Sequence, residues 1–250
     1  MALPTLVTIH GLGLDAASFA PMLARVATRF DVHGVDLPGF GARRDAPWTS
    51  VDAVAHDVAR EITLAAGDEP WMLVGHSMGG RIASIVAALL RDAGAPMPAG
   101  MALLAPSPVT REPMPAAKRT EMLDWARTGA IDADAARAFV DANVGSPLPA
   151  NLDARAVRTV RSGDAAAWIA WLESGSREDW HEEVGALDVP AVIVAGDADD
   201  DLGSAAQPTL AAATHPRARH VALAGAGHLI PLERPAEVAA AVDELWQQHA

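Results

Sequence analysis

The stretch Gly75-His76-Ser77-Met78-Gly79 is a serine flanked by glycines two residues before it and two residues after it. This spacing predicts a sharp strand-to-helix turn, in which the serine is strained and the glycines let the backbone pass closely. Residues 71–74 form a short apolar run typical of a buried strand, and residues 81–90 are apolar at helical spacing. The stretch therefore predicts that Ser77 is a nucleophile, with a plain turn and a helix-capping serine as the alternative.

Apolar runs and amphipathic segments alternate along much of the chain. The runs at residues 6–9, 32–35, 72–74, 101–104, 191–195 and 220–223 predict six strands. Residues 50–66 place their apolar side chains on one helical face, with Ser50 as the predicted N-cap, and a last helix is predicted from Pro235. Because strands that alternate with helices form parallel sheets, the sequence predicts an α/β fold with helices on both faces.

Length, charge and cysteine content limit the class of protein. The 250 residues suffice for one α/β domain with an insertion, and the net charge of -13 argues against nucleic acid as a partner. The sequence has no cysteine, and no histidine or carboxylate cluster has the spacing of metal ligands on a credible helix. Because no apolar run reaches membrane-spanning length and the first residues lack a signal-peptide pattern, we expect a cytoplasmic protein without metal or membrane anchor.

One stretch interrupts the alternation. Residues 107–185 contain no convincing strand, but they contain several helical patterns, four tryptophans, and helix-breaking prolines and glycines. We interpret these residues as a helical cap inserted over the end of the sheet. The remaining residues, 1–106 and 186–250, are then expected to form the core domain.

Four motifs in this order resemble the α/β-hydrolase fold. They are the turn at residues 75–79, His10-Gly11-Leu12-Gly13 after the first strand, Asp-Leu-Pro-Gly-Phe-Gly at residues 36–41, and Gly225-Ala226-Gly227-His228 near the end. The resemblance covers nearly the whole chain and implies a mainly parallel sheet, with the helical cap where this family carries its lid. The first strand runs directly into His10, which leaves no room for the family's N-terminal hairpin, so about six strands are expected rather than eight.

The resemblance also implies a catalytic triad. A serine hydroxyl is a poor nucleophile until a base, itself held by a carboxylate, takes its proton. The family's Gly-x-Gly-His pattern matches at His228, and its Gly-x-x-Asp spacing after the fifth strand selects Asp199, with Asp200 as the alternative. Ser77, Asp199 and His228 are the predicted nucleophile, orienting acid and base, whereas His76 is expected to point away from the reacting centre.

An oxyanion hole requires backbone amides aimed at the charge that develops during acyl transfer. The Met78 amide follows the nucleophile at the start of a helix, whose dipole also favours negative charge. By the resemblance, the Leu12 amide is the second donor. A simple glycine-rich strand exit is the alternative interpretation of residues 10–13.

Three residues are candidates for substrate binding. Trp125 would either line a pocket under the cap or belong to the core of the cap. Leu229 follows the predicted base and would form part of the pocket wall. Arg81, one helical turn after Ser77, would either reach a substrate carboxylate or form a structural ion pair.

These features together indicate a serine hydrolase that needs no cofactor and cleaves a small ester or lactone through an acyl-enzyme. One alternative is a lyase or carbon–carbon hydrolase that uses the same three residues, with Arg81 holding a substrate carboxylate. Another is a ligand-binding module that retains the triad, because a fold alone does not determine a function.

The absence of the hairpin has a consequence for assembly. The strand at residues 32–35 would lie at the edge of the sheet with unpaired backbone donors and acceptors. We expect either a homodimer through this edge or a loop of the same chain that covers it.

Overall fold

The central sheet has six strands in the part of the chain described by the computed structural model, residues 3–67 and 69–249. The strands are β1 (Thr5–Ile9), β2 (Asp31–Val35), β3 (Trp71–His76), β4 (Gly100–Leu104), β5 (Ala191–Gly196) and β6 (Arg219–Leu223). Their order is β2-β1-β3-β4-β5-β6, and every neighbouring pair is parallel. The prediction of a six-stranded parallel sheet is therefore confirmed.

The helices occur where the sequence alternation places them. In the described residues they are α1 (Ala20–Val26), α2 (Val51–Ala66), α3 (Met78–Asp92), α4 (Ala116–Asp124), α5 (Ala133–Ala142), α6 (Ala150–Ser162), α7 (Ala165–Glu173), α8 (His181–Val184), α9 (Gln207–Leu210), α10 (Ile230–Glu233) and α11 (Pro235–His249). The Ser50 side chain accepts a hydrogen bond of 3.1 Å from the Ala53 amide. The predicted N-cap of α2 is thus confirmed.

Two apolar clusters cover the two faces of the sheet. Side chains alternate along a strand, so Leu6 faces one cluster while Val7 faces the other. The cluster around Leu6 includes α1 and α11, whereas the cluster around Val7 includes α2 and α3. Both sides of the sheet are therefore buried, which explains why the central strands are continuous apolar runs.

The helices α4–α8 connect β4 to β5, and all of them fall within residues 107–185, hereafter the helical segment. Buried side chains of this segment, such as Phe139 and Trp168, join the same apolar cluster as α2 and α3. Parallel strands of an open sheet end at a common edge, where ligands bind in most α/β proteins. The helical segment leaves the sheet at that edge, after β4, and the chain then returns to the opposite edge to enter β5.

The edges of the sheet are β2 and β6. No strand precedes β1 among the described residues, which begin at Leu3. In β2 only Val35 is buried, whereas all five residues of β1 are buried. The strand at residues 32–35 therefore occupies the edge, as the sequence predicts.

Candidate active site

Ser77 occupies a sharp turn between β3 and α3. Its backbone angles are φ 53° and ψ -119°, a conformation that residues other than glycine rarely adopt. The chain passes so closely here that a Cβ atom at Gly75 would lie 2.7 Å from the carbonyl oxygen of Gly79. A Cβ atom at Gly79 would in turn overlap the carbonyl oxygen of Ile9, at the end of β1. The two glycines therefore permit the turn that projects the serine at the carboxyl end of β3.

Ser77, His228 and Asp199 form a continuous chain of hydrogen bonds. The distance from Ser77 Oγ to His228 Nε2 is 2.8 Å, and the distance from His228 Nδ1 to Asp199 Oδ2 is 2.7 Å. Only 14% of the His228 side chain and 6% of the Asp199 side chain are exposed. When His228 Nδ1–H donates to the Asp199 carboxylate, Nε2 is free to accept the proton of Ser77. This is the arrangement needed for general-base catalysis.

The environment of Asp199 favours its ionised form. Its second oxygen, Oδ1, accepts hydrogen bonds from the amides of Asp201 (3.2 Å) and Leu202 (3.1 Å). Burial opposes ionisation, but the charge of His228 and these hydrogen bonds outweigh it and lower the pKa of Asp199 to about 2. The carboxylate is therefore charged at neutral pH and can stabilise a protonated His228.

The other acidic residues of this loop lie elsewhere. Asp197 Oδ1 accepts a hydrogen bond of 2.7 Å from the Gly225 amide, and Asp201 pairs with Lys118 at 2.6 Å. Asp200 is exposed. The structure thus brings Asp199, and not Asp200, to His228.

The main chain of His228 is held from two sides. The carbonyl oxygen of Asn143 accepts hydrogen bonds from the amides of His228 (2.8 Å) and Leu229 (2.9 Å). On the other side, His76 Nε2 donates to the carbonyl oxygen of His228 at 2.8 Å. Burial and the charge of His228 lower the pKa of His76 to about 3, so His76 is neutral at physiological pH.

His76 is placed differently from the sequence expectation. Its ring lies 5.1 Å from the ring of His228, between centroids, and lines the same cleft as Ser77. The expectation that His76 points away from the reacting centre is therefore wrong, because its hydrogen bond to the backbone of His228 turns the ring towards that loop.

A carboxylate connects the histidine loop to the helical segment. Glu233 accepts hydrogen bonds from the amides of Gly145 (2.8 Å) and Gly227 (3.0 Å), one from each side. The two backbones cross so closely that a Cβ atom at Gly145 would lie 2.7 Å from the Gly227 nitrogen. The position of His228 therefore depends on contacts with the helical segment, which sequence analysis did not indicate.

The predicted oxyanion donors belong to residues near Ser77: Leu12 lines the same cleft as Ser77, and Met78 follows Ser77 in the chain. The Leu12 amide follows β1, and the Met78 amide is at the first residue of α3. Within the described residues neither amide donates a hydrogen bond, so both are free to receive a ligand oxygen. Amides fixed by the backbone in this way suit the stabilisation of a negative oxygen.

A cleft lies next to Ser77, and its interior and open mouth together hold about 520 Å³. Its walls are mainly apolar and include Leu12, Met114, Met122, Phe139, Trp171 and Leu229. Four polar side chains that sequence analysis did not identify as site residues also line it: Glu112, Lys118, Asn143 and Asp201. A carboxylate shortly after β4 was the available signal for Glu112, and the acidic loop after β5 was the signal for Asp201, whereas nothing local marks Lys118 or Asn143.

Trp125 does not line this cleft. It packs within the helical segment, where its ring centroid lies 6.5 Å from that of Trp168. Trp171 lines the cleft instead. Of the two interpretations of Trp125, the structure favours the core of the helical segment. Leu229, in contrast, lies in the cleft wall as expected.

Arg81 does not reach the cleft either. Its guanidinium is fully buried, lies 5.3 Å from the Trp171 ring centroid, and donates to the carbonyl oxygens of Thr110 and Gly175. The expectation that Arg81 binds a substrate carboxylate is not supported, and its partners are backbone carbonyls rather than the carboxylate of an ion pair. Arg81 instead joins α3 to the loop before α4 and to the turn after α7.

Neither a metal site nor a membrane-spanning helix is found in the described part of the chain. Residues 3–67 and 69–249 contain no group of three or more histidine, aspartate or glutamate side chains placed to hold a metal ion. None of the helices in that part of the chain is both long and apolar enough to cross a membrane. A cytoplasmic location stays a prediction.

Comparison with known proteins gives a family match over most of the chain. Residues 6–241 match the model of the Alpha/beta hydrolase family. A pimeloyl-[acyl-carrier protein] methyl ester esterase of Xanthomonas axonopodis pv. citri is 30% identical over 238 residues, which cover 90% of this chain and 88% of that protein. The protein of the same name from Stenotrophomonas maltophilia is 31% identical over 248 residues, or 96% and 91% of the two chains.

Solved structures show the same fold at lower identity. The esterase EaEST from Exiguobacterium antarcticum superposes with a TM-score of 0.85 and 18% identity, covering 98% of this chain and 92% of that one. The enol-lactonase from Burkholderia xenovorans LB400 gives a TM-score of 0.80 and 23% identity, with coverage of 99% and 92%. These similarities show a shared architecture.

Proposed function

Because the chain belongs to the α/β-hydrolase family, we propose that it is a serine hydrolase that cleaves a small carboxylic ester or lactone through an acyl-enzyme. The names of its relatives support carboxylic ester hydrolysis. The observation that carries the mechanism is the hydrogen-bonded chain from Ser77 through His228 to Asp199.

In the acylation step, Ser77 Oγ attacks the ester carbonyl carbon and its proton passes to His228 Nε2. The carbonyl oxygen becomes an oxyanion, which the amides of Leu12 and Met78 are placed to bind. The bond to the alcohol oxygen then breaks, and His228 returns the proton to that oxygen. For a lactone, the released alcohol remains attached to the acyl group.

In the deacylation step, water takes the place of the alcohol. His228 accepts a proton from the water, whose oxygen attacks the acyl carbon, and the proton is returned to Ser77 as the acid leaves. Throughout, Asp199 holds the imidazole in one orientation and stabilises its charged form. The proposed reaction needs no cofactor, because the nucleophile, base, acid and oxyanion donors all belong to the chain.

The alternative of a lyase or carbon–carbon hydrolase depends on a cation that holds a substrate carboxylate. Arg81 was the residue expected for this purpose, and its guanidinium is buried against backbone carbonyls away from the cleft. Lys118 does line the cleft, but it pairs with Asp201 at 2.6 Å. Ester hydrolysis requires no cation for a substrate carboxylate, so it fits the cleft better.

The direct test is labelling with a fluorophosphonate, which reacts with activated serines. We expect one label on the wild-type protein, located on Ser77 by peptide mass spectrometry. Ser84 provides a matched control, because its hydroxyl also contacts a histidine, His215 Nε2 at 3.0 Å, but in a buried site away from Asp199. Ser84→Ala should keep the label and Ser77→Ala should lose it.

Turnover should be measured on p-nitrophenyl esters of increasing acyl length, on a small lactone and on methyl esters. Methyl esters belong in this series because the relatives are named as methyl ester esterases. A burst of p-nitrophenol equal to the enzyme concentration is expected if deacylation is slower than acylation. Tight binding of these compounds without labelling or turnover would favour the ligand-binding module and overturn the proposal.

A further inference from the structure

Glu112 is a buried carboxylate in the wall of the cleft that the proposed reaction does not use. It lies on the loop between β4 and α4, and only 7% of the residue is exposed. Its Oε2 atom accepts a hydrogen bond of 2.7 Å from Ser107 Oγ. Its other oxygen, Oε1, accepts no hydrogen bond within residues 3–67 and 69–249 and is not sealed from solvent.

The position of Glu112 is fixed relative to the nucleophile. The amide of Glu112 donates to the carbonyl oxygen of Ser176 at 2.8 Å, which anchors the loop to the helical segment. The amide of Ser107 donates to the carbonyl oxygen of Ser77 at 3.0 Å, while its hydroxyl contacts Glu112. A single residue, Ser107, therefore connects the carboxylate to the turn that carries the nucleophile.

Two cations, the buried Arg81 and the half-buried Arg119, lie near Glu112 without donating a hydrogen bond to it. Burial lowers the pKa of Arg81 to about 10, and the negative charge of Glu112 partly offsets this effect. Burial also lowers the pKa of Arg119, again offset by Glu112. Yet Arg81 donates to backbone carbonyls, and Arg119 donates to the Leu172 carbonyl and the Ser176 hydroxyl. The nearby positive charges thus stabilise the ionised form of Glu112, and its Oε1 atom still lacks a hydrogen-bond donor.

A free carboxylate oxygen in an apolar cleft selects its ligand. A purely alkyl substrate would displace water from Oε1 and leave a buried acceptor unpaired, which disfavours binding. A hydroxyl or an ammonium group on the substrate would donate to Oε1 and restore the lost hydrogen bond. The cleft wall contains three carboxylates, Glu112, Asp199 and Asp201, but one cationic side chain, Lys118. An anionic group on the substrate would therefore be repelled, which disfavours its binding.

We propose that the substrate of this cleft is an ester or lactone that carries a hydrogen-bond donor, a hydroxyl or an amino group, and that Glu112 Oε1 binds this donor. The inference rests on the proposed function and deepens it. It makes Glu112 a specificity-determining residue, because a site built to accept a hydrogen bond rejects an analogue that lacks the donor.

The test compares p-nitrophenyl esters of equal length that end in methyl, hydroxyl, ammonium or carboxylate groups, with chain length varied to locate Oε1. For the wild type, kcat/KM should be about 10- to 100-fold higher for the hydroxyl ester of suitable length than for its alkyl analogue, the range expected for a hydrogen bond to a charged group. The carboxylate ester should be the poorest substrate.

Three variants separate the contribution of Glu112 from effects on folding. Glu112→Met should abolish the preference for the hydroxyl ester and improve the alkyl ester. Glu112→Gln, which keeps an acceptor for Ser107, should lower the preference for the ammonium ester over the alkyl ester about tenfold or more, because the amide has no charge. Glu121→Met, at an exposed position of α4, is the matched control and should leave all preferences unchanged.

The outcomes distinguish this inference from the proposed function. If no ester is hydrolysed and Ser77 is not labelled, the proposed function fails. If esters are hydrolysed but the wild type shows no preference for a donor at any chain length, the assignment of Glu112 is wrong. The assignment is equally wrong if Glu112→Gln retains the full preference for the ammonium ester.

Discussion

His228 Nδ1 lies 2.7 Å from Asp199 Oδ2, although the two residues are 29 positions apart in the chain. Asp199 follows β5 and His228 follows β6, and these two strands are neighbours in the sheet. Because parallel neighbours end at the same edge, the loops after them meet there and bring acid and base together. Ser77 follows β3 at the same edge, so three loops on one rigid sheet position the three side chains.

Ser77 and His228 should behave as one functional unit. Replacing either by alanine is expected to lower kcat by about 10⁴- to 10⁶-fold, because the serine is not activated without its base. The double variant should be little worse than either single variant. Steady-state kinetics on a p-nitrophenyl ester will measure this, and losses that multiply in the double variant would contradict the proposed cooperation.

Asp199 should be the only acid in its loop with a large effect on catalysis. Asp199→Asn is expected to lower kcat by about 10³- to 10⁴-fold, because an amide no longer holds His228 in the correct tautomer. Asp200→Asn is the matched control, since Asp200 is adjacent and exposed, and it should have little effect on kcat. The reverse result would assign the acid to Asp200.

The stability contributed by Asp199 should depend on pH in a defined direction. Because the folded-state pKa is lowered to about 2, below the value of about 4 in an unfolded chain, ionised Asp199 stabilises the fold above pH 4. This contribution is lost as the pH falls from about 4 towards about 2. Urea unfolding of the wild type and Asp199→Asn should show a free-energy difference that shifts against the wild type as the pH falls from about 4 towards about 2.

Glu233 should act as a positioning residue for His228. Glu233→Ala removes the acceptor shared by the Gly145 and Gly227 amides, so the loop before His228 loses one of its connections to the helical segment, while the hydrogen bonds of the Asn143 carbonyl remain. We expect kcat to fall about 10- to 100-fold with little change in KM, a loss typical of a misplaced catalytic group.

Glu237→Ala, at an exposed position in the first turn of α11, is the control for Glu233→Ala. It should leave kcat unchanged. The rate of fluorophosphonate labelling provides a second measurement, because it reports the activation of Ser77 and should fall in parallel with kcat in Glu233→Ala. A lower melting temperature with unchanged kcat and labelling would restrict Glu233 to a structural role.

The parts of the site that sequence predicts are those encoded by contiguous motifs. The turn around Ser77 and the glycine-rich approach to His228 specify local backbone geometry. The family's spacing after β5 favours Asp199 but leaves Asp200 as an alternative, which the structure removes. Local sequence therefore determines which side chains leave the sheet at its carboxyl edge.

The rest of the site depends on tertiary packing. Glu112 and Lys118 reach the cleft because the helical segment folds back over the sheet edge, and no local pattern encodes that placement. Arg81 illustrates a second limit. Its hydrogen-bond partners are the backbone carbonyls of Thr110 and Gly175, and a backbone carbonyl leaves no signal in sequence because every residue has one.

The exposed edge of β2 predicts an assembly. The Asp31 amide donates to the Pro4 carbonyl on the β1 side, so alternation along the strand directs the amides of Val32 and Gly34 towards the free edge. We expect two copies to pair through this edge around a two-fold axis. Light scattering over a micromolar concentration series should then give the mass of a dimer.

Val32→Pro tests the geometry of that dimer. Proline removes one outward amide without removing the bond between Asp31 and Pro4, and an edge strand tolerates proline at such a position. The variant should be monomeric and should keep the esterase activity, because β2 carries none of the three residues of the triad. A wild type that stays monomeric when concentrated would exclude the dimer, and a dimer that persists in Val32→Pro would place the contact on another surface.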